Sequence, residues 1–289
     1  METTSAFEPE PAEGSIAPTL SARQIAGGES WSVSEIVCRA GPDDRAYEER
    51  HEGFSIAAVL EGSFTYRAGR GANLLYPGAL LLGNHRACYC CGHEHGRGDR
   101  CVSFNLREDA FDEIASAAPS GRRRALSQPM LPASNRLAPL FAAIERLRGG
   151  ASPLEAEELL VALVESVVGA LNDGLRAPPA PAGWETRRLI EVLRLIDERS
   201  EAPVDLAALA AAAGLSKHHF LRVFRRFVGM TPHQYLLRAR MMRAARRLKA
   251  SRDSVLSVAL DSGFGDLSTF NARYRATFGT TPSKYRAEP

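Results

Sequence analysis

Hydrophobic runs long enough to cross a membrane are missing from this 289-residue chain. A spanning helix needs roughly 18–20 apolar residues, so no membrane partner is expected. The opening Met1-Glu2-Thr3-Thr4 lacks a basic region followed by an apolar stretch, so no secretory signal is expected and the protein is read as cytoplasmic. Cysteine is scarce and lopsided: Cys38, Cys88, Cys90, Cys91 and Cys101 all lie in the first 101 residues, four of them within 14 positions. An odd count, crowded together without a signal, argues against a disulfide framework. No Gly-x-Ser-x-Gly elbow, P-loop or dinucleotide fingerprint occurs, and no C-x2-C…C-x2-C or zinc-finger spacing. The common hydrolase, nucleotide-binding and finger readings therefore have no support, and no catalytic residue is nominated.

What is present is globular, 45% hydrophobic and 24% charged, with length enough for about two domains. The net charge of +2 hides an asymmetry. Residues 184–289 hold 19 Lys and Arg against 10 Asp and Glu, net +9, whereas residues 1–183 are net −7. A basic half beside an acidic half points to a polyanionic partner for one of them, or to a solvated cationic face. Residues 1–27, rich in Pro, Glu, Ala and Gly, read as a mostly disordered tail. Residues 28–106 carry short apolar runs between glycine turns, such as 54–60, 63–67, 74–76 and 79–82 around Pro77-Gly78. That punctuation predicts an antiparallel barrel or sandwich. Helical periodicity follows over 107–173, with one helix at 135–148 and another opened by a capping box, Ser152-Pro153-Leu154-Glu155. Three prolines and two glycines within 174–183 predict a semi-rigid linker and a domain boundary.

The last third contains a repeat. Its first copy has Gly214, Ser216, Phe220, Phe224 and then Gly229-Met-Thr231-Pro232-His-Gln-Tyr235. Its second has Gly263, Asp266, Phe270, Tyr274 and then Gly279-Thr-Thr281-Pro282-Ser-Lys-Tyr285. The offset is 49 at the first Gly and 50 from Phe220 onward, so the second turn carries one extra residue. Each copy reads as helix, tight turn, helix: a Gly for the left-handed C′ position, then Ser216 or Asp266 as N-cap. Phe220, Phe224 and Phe227 form one face of the second helix. Lys217, His218, Arg222, Arg225 and Arg226 form the other. Thr231-Pro232-His-Gln234 opens an Arg-rich helix, 234–249, that joins the copies. In a helix-turn-helix the second helix enters the major groove, and two units on one long helix address successive grooves, with double-stranded DNA as partner. An α-helical ligand or adaptor domain is the plainer alternative.

Residues 186–287, above all Gly263-Phe-Gly-Asp-Leu-Ser-Thr-Phe-Asn-Ala-Arg-Tyr through Thr281-Pro282-Ser-Lys-Tyr285-Arg286, closely resemble the DNA-binding domain of AraC/XylS regulators. The resemblance implies an α+β protein: an N-terminal cupin-like β-barrel that senses an effector, then an all-α domain (184–289) of two helix-turn-helix subdomains joined by a long helix. Carried over by position, the base-reading sets are His218, Leu221 and Arg222, then Leu267, Ser268, Asn271 and Ala272. Ser216, Lys217, Arg226 and Arg275 stand beside them. The family often has Arg where this chain has Ala272, so the second helix reads thymine methyls through Leu267 and Ala272, or positions on phosphates. The resemblance also implies RNA polymerase as a partner if the protein is an activator, and a homodimer built through 107–173.

One segment remains, His85 to Cys101, which holds four of five cysteines and three of seven histidines. Cys90, Cys91, His93, His95 and Cys101 form a candidate ligand set for Zn²⁺ or Cu⁺. The alternatives are a thiol redox switch, in which His and Arg neighbours activate Cys90 or Cys91, and cysteines that only pack a small barrel. A lone His51 before a strand reads as structural. The competing functional class is a cupin-type metalloenzyme fused to a DNA-binding domain.

Overall fold

A computed structural model describes residues 20–46, 48–69, 71–93, 96–118, 125–150 and 152–287. Ten strands come first: β1 (Leu20–Gly27), β2 (Trp31–Cys38), β3 (Glu48–Arg50), β4 (Phe54–Gly62), β5 (Phe64–Ala68), β6 (Gly71–Leu75), β7 (Leu80–Gly83), β8 (Cys88–Gly92), β9 (Asp99–Leu106) and, after a helix, β10 (Met130–Leu131). They form two antiparallel sheets, ordered β1-β2-β9-β4-β7-β10 and β3-β8-β5-β6. The barrel encloses a cavity between them.

Period-two alternation decides what each sheet face does. On β4, Phe54, Ile56, Ala58 and Leu60 pack outward with helical residues, whereas Ser55 and Ala57 line the cavity. Both faces are thus buried, which is why this stretch reads as one continuous apolar run. The outer face is covered by α1 (Glu108–Ala117), α2 (Ala138–Leu147) and α3 (Pro153–Asn172). Phe111 of α1 stacks on Phe54 at 3.9 Å between ring centres. The expected capping box opens α3: Ser152 accepts from the Glu155 N–H while the Glu155 carboxylate accepts from the Ser152 N–H. Charge ties the same layers together. Glu35 on β2 accepts from Arg23 of β1, Arg100 of β9 and Arg148 just beyond α2.

Seven helices follow among the described residues: α4 (Gly183–Glu198), α5 (Leu206–Ala212), α6 (Lys217–Val228), α7 (Pro232–Ala250), α8 (Val255–Asp261), α9 (Leu267–Phe278) and α10 (Pro282–Ala287). Their local signals are those of the repeat. Ser216 and Asp266 cap α6 and α9. Gly229 and Gly279 end those helices at φ +78° and +71°, a conformation that a Cβ penalises.

Two sequence expectations need correction. The tail expected through residue 27 gives way to structure at Leu20, because 20–27 pairs along β2 from Leu20 opposite Cys38 to Gly27 opposite Ser32. A mostly exposed edge strand with scattered apolar residues has no apolar run to announce it; its cross-strand partner stabilises it. Residues 1–19 lie outside the described residues. The 174–183 segment is irregular, but it is fastened. The Gln128 amide donates to the Leu175 carbonyl at 2.7 Å and accepts from the Ala177 N–H. Proline removes donors and leaves carbonyls, so a side-chain amide can pin such a segment.

The two halves of the chain also share cores. Tyr76 Oη donates to the Val228 carbonyl at 2.7 Å, and Tyr285 Oη to that of Ala142 at 3.3 Å. Tyr76-Pro77-Gly78-Ala79 is a turn closed by Ala79 N–H to Tyr76 O, with Gly78 at φ +94°, as a type II turn requires. Its Pro77 carbonyl accepts from Arg238 Nη1 at 3.0 Å. That Arg lies on α7, 6% exposed, with its guanidinium over the Phe141 ring.

Candidate DNA-binding surface and effector cavity

The helix-turn-helix surface follows from where the aromatics go. Phe220, Phe224 and Phe227 on α6, and Phe270, Tyr274 and Phe278 on α9, are buried. Removing one such ring costs about 3–5 kcal/mol, so the opposite faces of both helices are held outward. On α6 those faces carry exposed Lys217, His218, Arg222 and Arg226, with half-buried Leu221. The hydroxyl of Ser216 is engaged in its cap. On α9, Ser268, Ala272 and Arg275 are exposed, and Leu267 and Asn271 are half-buried. All eleven nominated positions thus fall on two exposed helix faces or at their caps. Connecting them, α7 has 19 residues, about 28 Å at 1.5 Å per residue. Arg225 belongs to the same α6 surface as His218, Leu221, Arg222 and Arg226.

The barrel offers the second site, a cavity of about 270 Å³ between the sheets. Tyr89 and Cys91 of β8 face it, together with Glu49 and His51. Tyr89 donates to Glu49 Oε2 at 2.9 Å, and burial holds the Glu49 carboxyl above its usual range. His51 shares a 2.9 Å hydrogen bond with Tyr66 Oη and stacks on Tyr89 at 4.1 Å. Burial pushes His51 down to about 4, so the ring is neutral. Ser55 and Ser103 share a hydrogen bond across the adjoining wall.

At one end of the cavity, His93 Nε2 donates to Asp99 Oδ1 at 2.6 Å. Cys101 Sγ donates to Asp99 Oδ2 at 3.2 Å. Burial opposes a charge on His93, but the Asp99 and Cys38 contacts prevail and raise it to about 9. Burial pushes the Cys91 and Cys101 thiols well up, and the Asp99 carboxylate adds to it. These thiols are therefore protonated and poor nucleophiles, which counts against the redox-switch reading for Cys91.

The five nominated metal ligands are only partly assembled. Cys91, His93 and Cys101 reach the cavity. Cys90 occupies the opposite face of β8, since neighbours on a strand point apart. His95 lies outside the described residues. Sequence reasoning missed Cys38 and Asp99, because only the pairing of β2 with β9 puts them opposite each other. His51, read as structural, lines the cavity.

Comparison with known proteins bears on the helical half first. Residues 209–288 match a family model described as "Helix-turn-helix domain". The chain is 30% identical to Regulatory protein SoxS of Salmonella typhimurium, over 33% of this chain and 89% of that protein. It is 35% identical to Probable transcription factor PqrA of Proteus vulgaris, over 31% of this chain and 72% of that one. The chain belongs to the AraC family of transcription regulators. Similarity reaches into the barrel of this AraC-family chain as well: it is 28% identical to Transcriptional activator NphR of a Rhodococcus species, over 82% of this chain and 70% of that protein. It spans only 35% of HTH-type transcriptional regulator MtrA of Neisseria gonorrhoeae. Among solved structures, the DNA-binding domain of AdpA in complex with a target DNA matches 35% of this chain at 35% identity and a TM-score of 0.33. Wild-type ToxT from Vibrio cholerae, solved with an unsaturated fatty acid bound, covers 90% of this chain at 10% identity and a TM-score of 0.37. No helix among the described residues is long and apolar enough to cross a membrane.

Proposed function

We propose that this AraC-family regulator binds its operator through the exposed faces of α6 and α9 and takes a small effector into the barrel cavity. The observation that carries the reading is the duplicated presentation of outward polar faces, on α6 and on α9, each fixed by a buried aromatic row, in two units joined by α7, about 28 Å long. Major-groove faces one turn apart are separated by roughly 34 Å, and these are the faces that two units joined by α7 would address. Arg222 and His218 supply donors to base edges, and Lys217, Arg226 and Arg275 neutralise phosphates. Leu267 and Ala272 leave the second half-site to thymine methyls and shape.

The effector reading rests on the cavity's mixture of aromatic walls and hydrogen-bonding groups, the usual character of a small-molecule site. Its route to the DNA-binding half runs through the Tyr76-Pro77-Gly78 turn, which touches the helical half at Val228 and Arg238. Selection of operators from random duplexes by the full chain, followed by affinity measurement across salt, tests the proposal. A preferred sequence with two half-sites is expected. Its log K should fall with log salt at about 0.9 per phosphate contacted. Binding without sequence preference, or affinity indifferent to salt, would overturn it.

A further inference from the structure

We propose that Cys38, His93, Asp99 and Cys101 form a binding site for one thiophilic divalent cation of the Zn²⁺ class at the end of the barrel cavity. Three pieces of chain converge there. Cys38 closes β2 and lies directly opposite Asp99, the first residue of β9. Cys101 follows two positions along β9, on the same face. His93 comes from the turn leaving β8. Donor atoms of Cys38, His93 and Asp99 lie within 4.8 Å of one another, and the Cys101 sulfur is 3.2 Å from the second Asp99 oxygen.

The backbone is shaped for this convergence. Gly98 has φ +79°, and a Cβ there would stand 2.2 Å from the Cys38 carbonyl oxygen. A Cβ on Gly96 would stand 2.5 Å from the Ser63 carbonyl. Only glycines let the loop lie on β2 and on the residue before β5, and that closeness places His93 over the Cys38 end. The Phe64 ring, tilted against His93 at 5.7 Å, backs the imidazole.

The donor chemistry selects the ion. Two sulfurs, one imidazole nitrogen and one carboxylate oxygen make a four-coordinate set that suits Zn²⁺, with bonds of about 2.3 Å to sulfur and about 2.0 Å to nitrogen and oxygen. Mg²⁺ and Ca²⁺ require more oxygen donors, and Cu⁺ prefers soft ligands throughout. Binding exchanges protons for metal. The two thiols and the imidazolium each release one proton to solvent, their lone pairs bond to the cation, and Asp99 contributes its existing charge. The His93–Asp99 and Cys101–Asp99 hydrogen bonds are replaced by bonds to a common centre: His93 and Asp99, 2.6 Å apart, separate to tetrahedral spacing, and the Cys101 sulfur, which lies outside the group of Cys38, His93 and Asp99, turns from the second Asp99 oxygen towards the ion.

The site stands on this geometry alone. Its role as regulatory input rests on the reading of the barrel as the effector domain. The test uses the full chain, stripped with chelator under reductant and titrated with Zn²⁺ and with Co²⁺. One equivalent of Zn²⁺ is expected, displacing Co²⁺ whose spectrum shows tetrahedral ligand-field bands and sulfur-to-cobalt charge transfer. Cys38→Ser and Asp99→Asn should each weaken Zn²⁺ binding at least tenfold, while Cys90→Ser leaves it unchanged. Wild-type protein that binds no stoichiometric Zn²⁺, or an octahedral Co²⁺ spectrum without sulfur charge transfer, overturns the site without any variant having to fold. So does a loss in Cys90→Ser as large as in Cys38→Ser. Operator affinity with and without Zn²⁺ is the separate arm: stoichiometric metal with unaltered affinity overturns only the regulatory role.

Discussion

Gly78→Ala probes how the barrel is docked on the helical half. At φ +94° any Cβ costs about 1–2 kcal/mol in backbone strain. The larger effect is a collision, because that Cβ would stand 1.9–2.0 Å from the Arg238 guanidinium. The group must leave its place, although the residue is only 6% exposed. Leaving forfeits the hydrogen bond to the Pro77 carbonyl, worth about 1.5–3 kcal/mol for a charged donor, and its contact with the Phe141 ring, about 0.5–2 kcal/mol. Gly78→Ala should therefore cost about 3–7 kcal/mol in the natural chain. In an Arg238→Ala background only the strain remains, about 1–2 kcal/mol, so a double-mutant cycle should return roughly 2–5 kcal/mol of coupling. Urea unfolding measures it, and the two tryptophans report the halves separately, Trp31 in β2 and Trp184 in α4. An equal cost of Gly78→Ala in both backgrounds would refute the docking and the coupling route built on it.

On DNA, Arg222→Ala should weaken operator binding by about 1–3 kcal/mol and relax one half-site, read by repeating operator selection; an unchanged preferred sequence contradicts its role. Ala272→Arg should shift preference in the other half-site only, by the same readout. Burial raises the Glu35 carboxyl, but hydrogen bonds from Arg23, Arg148 and Arg100 prevail and hold it at about 2, against 4.5 ordinarily. The folded state then binds its proton less tightly than the unfolded state, so the stability it contributes is complete above pH 4.5 and is lost as pH falls towards 2; Glu35→Gln should flatten that acid limb in a denaturation series. Asp197 has the opposite sign: burial raises it from 3.8 to about 7 against the Tyr235 hydrogen bond. Stability should fall as pH rises from about 4 through 7, and Asp197→Asn should remove that slope.

Local signals in the chain determined the helical half. Glycines with positive φ, Ser, Thr and Asp caps, and aromatics spaced by three and four act within one turn of helix, so their meaning survives without the rest of the protein. They placed α6, α7 and α9, and with them every nominated DNA-facing residue on a helix face or cap. The barrel was legible as short runs between turns, but its edges were not. Leu20–Gly27 is mostly exposed and has only scattered apolar residues, and pairing with β2 makes it a strand. The cavity chemistry was half visible. Cysteine and histidine density drew attention to residues 85–101, but sequence proximity grouped Cys90 with Cys91, which strand alternation separates. The β2–β9 register brought in Cys38 and set it against Asp99, a contact across 61 positions that no spacing rule contains. The docking of the halves is of the same kind. Nothing adjacent to Gly78 in the chain announces Arg238, 160 residues away; tertiary packing fixed that contact, because a buried guanidinium needs an acceptor and the turn's carbonyl supplies one.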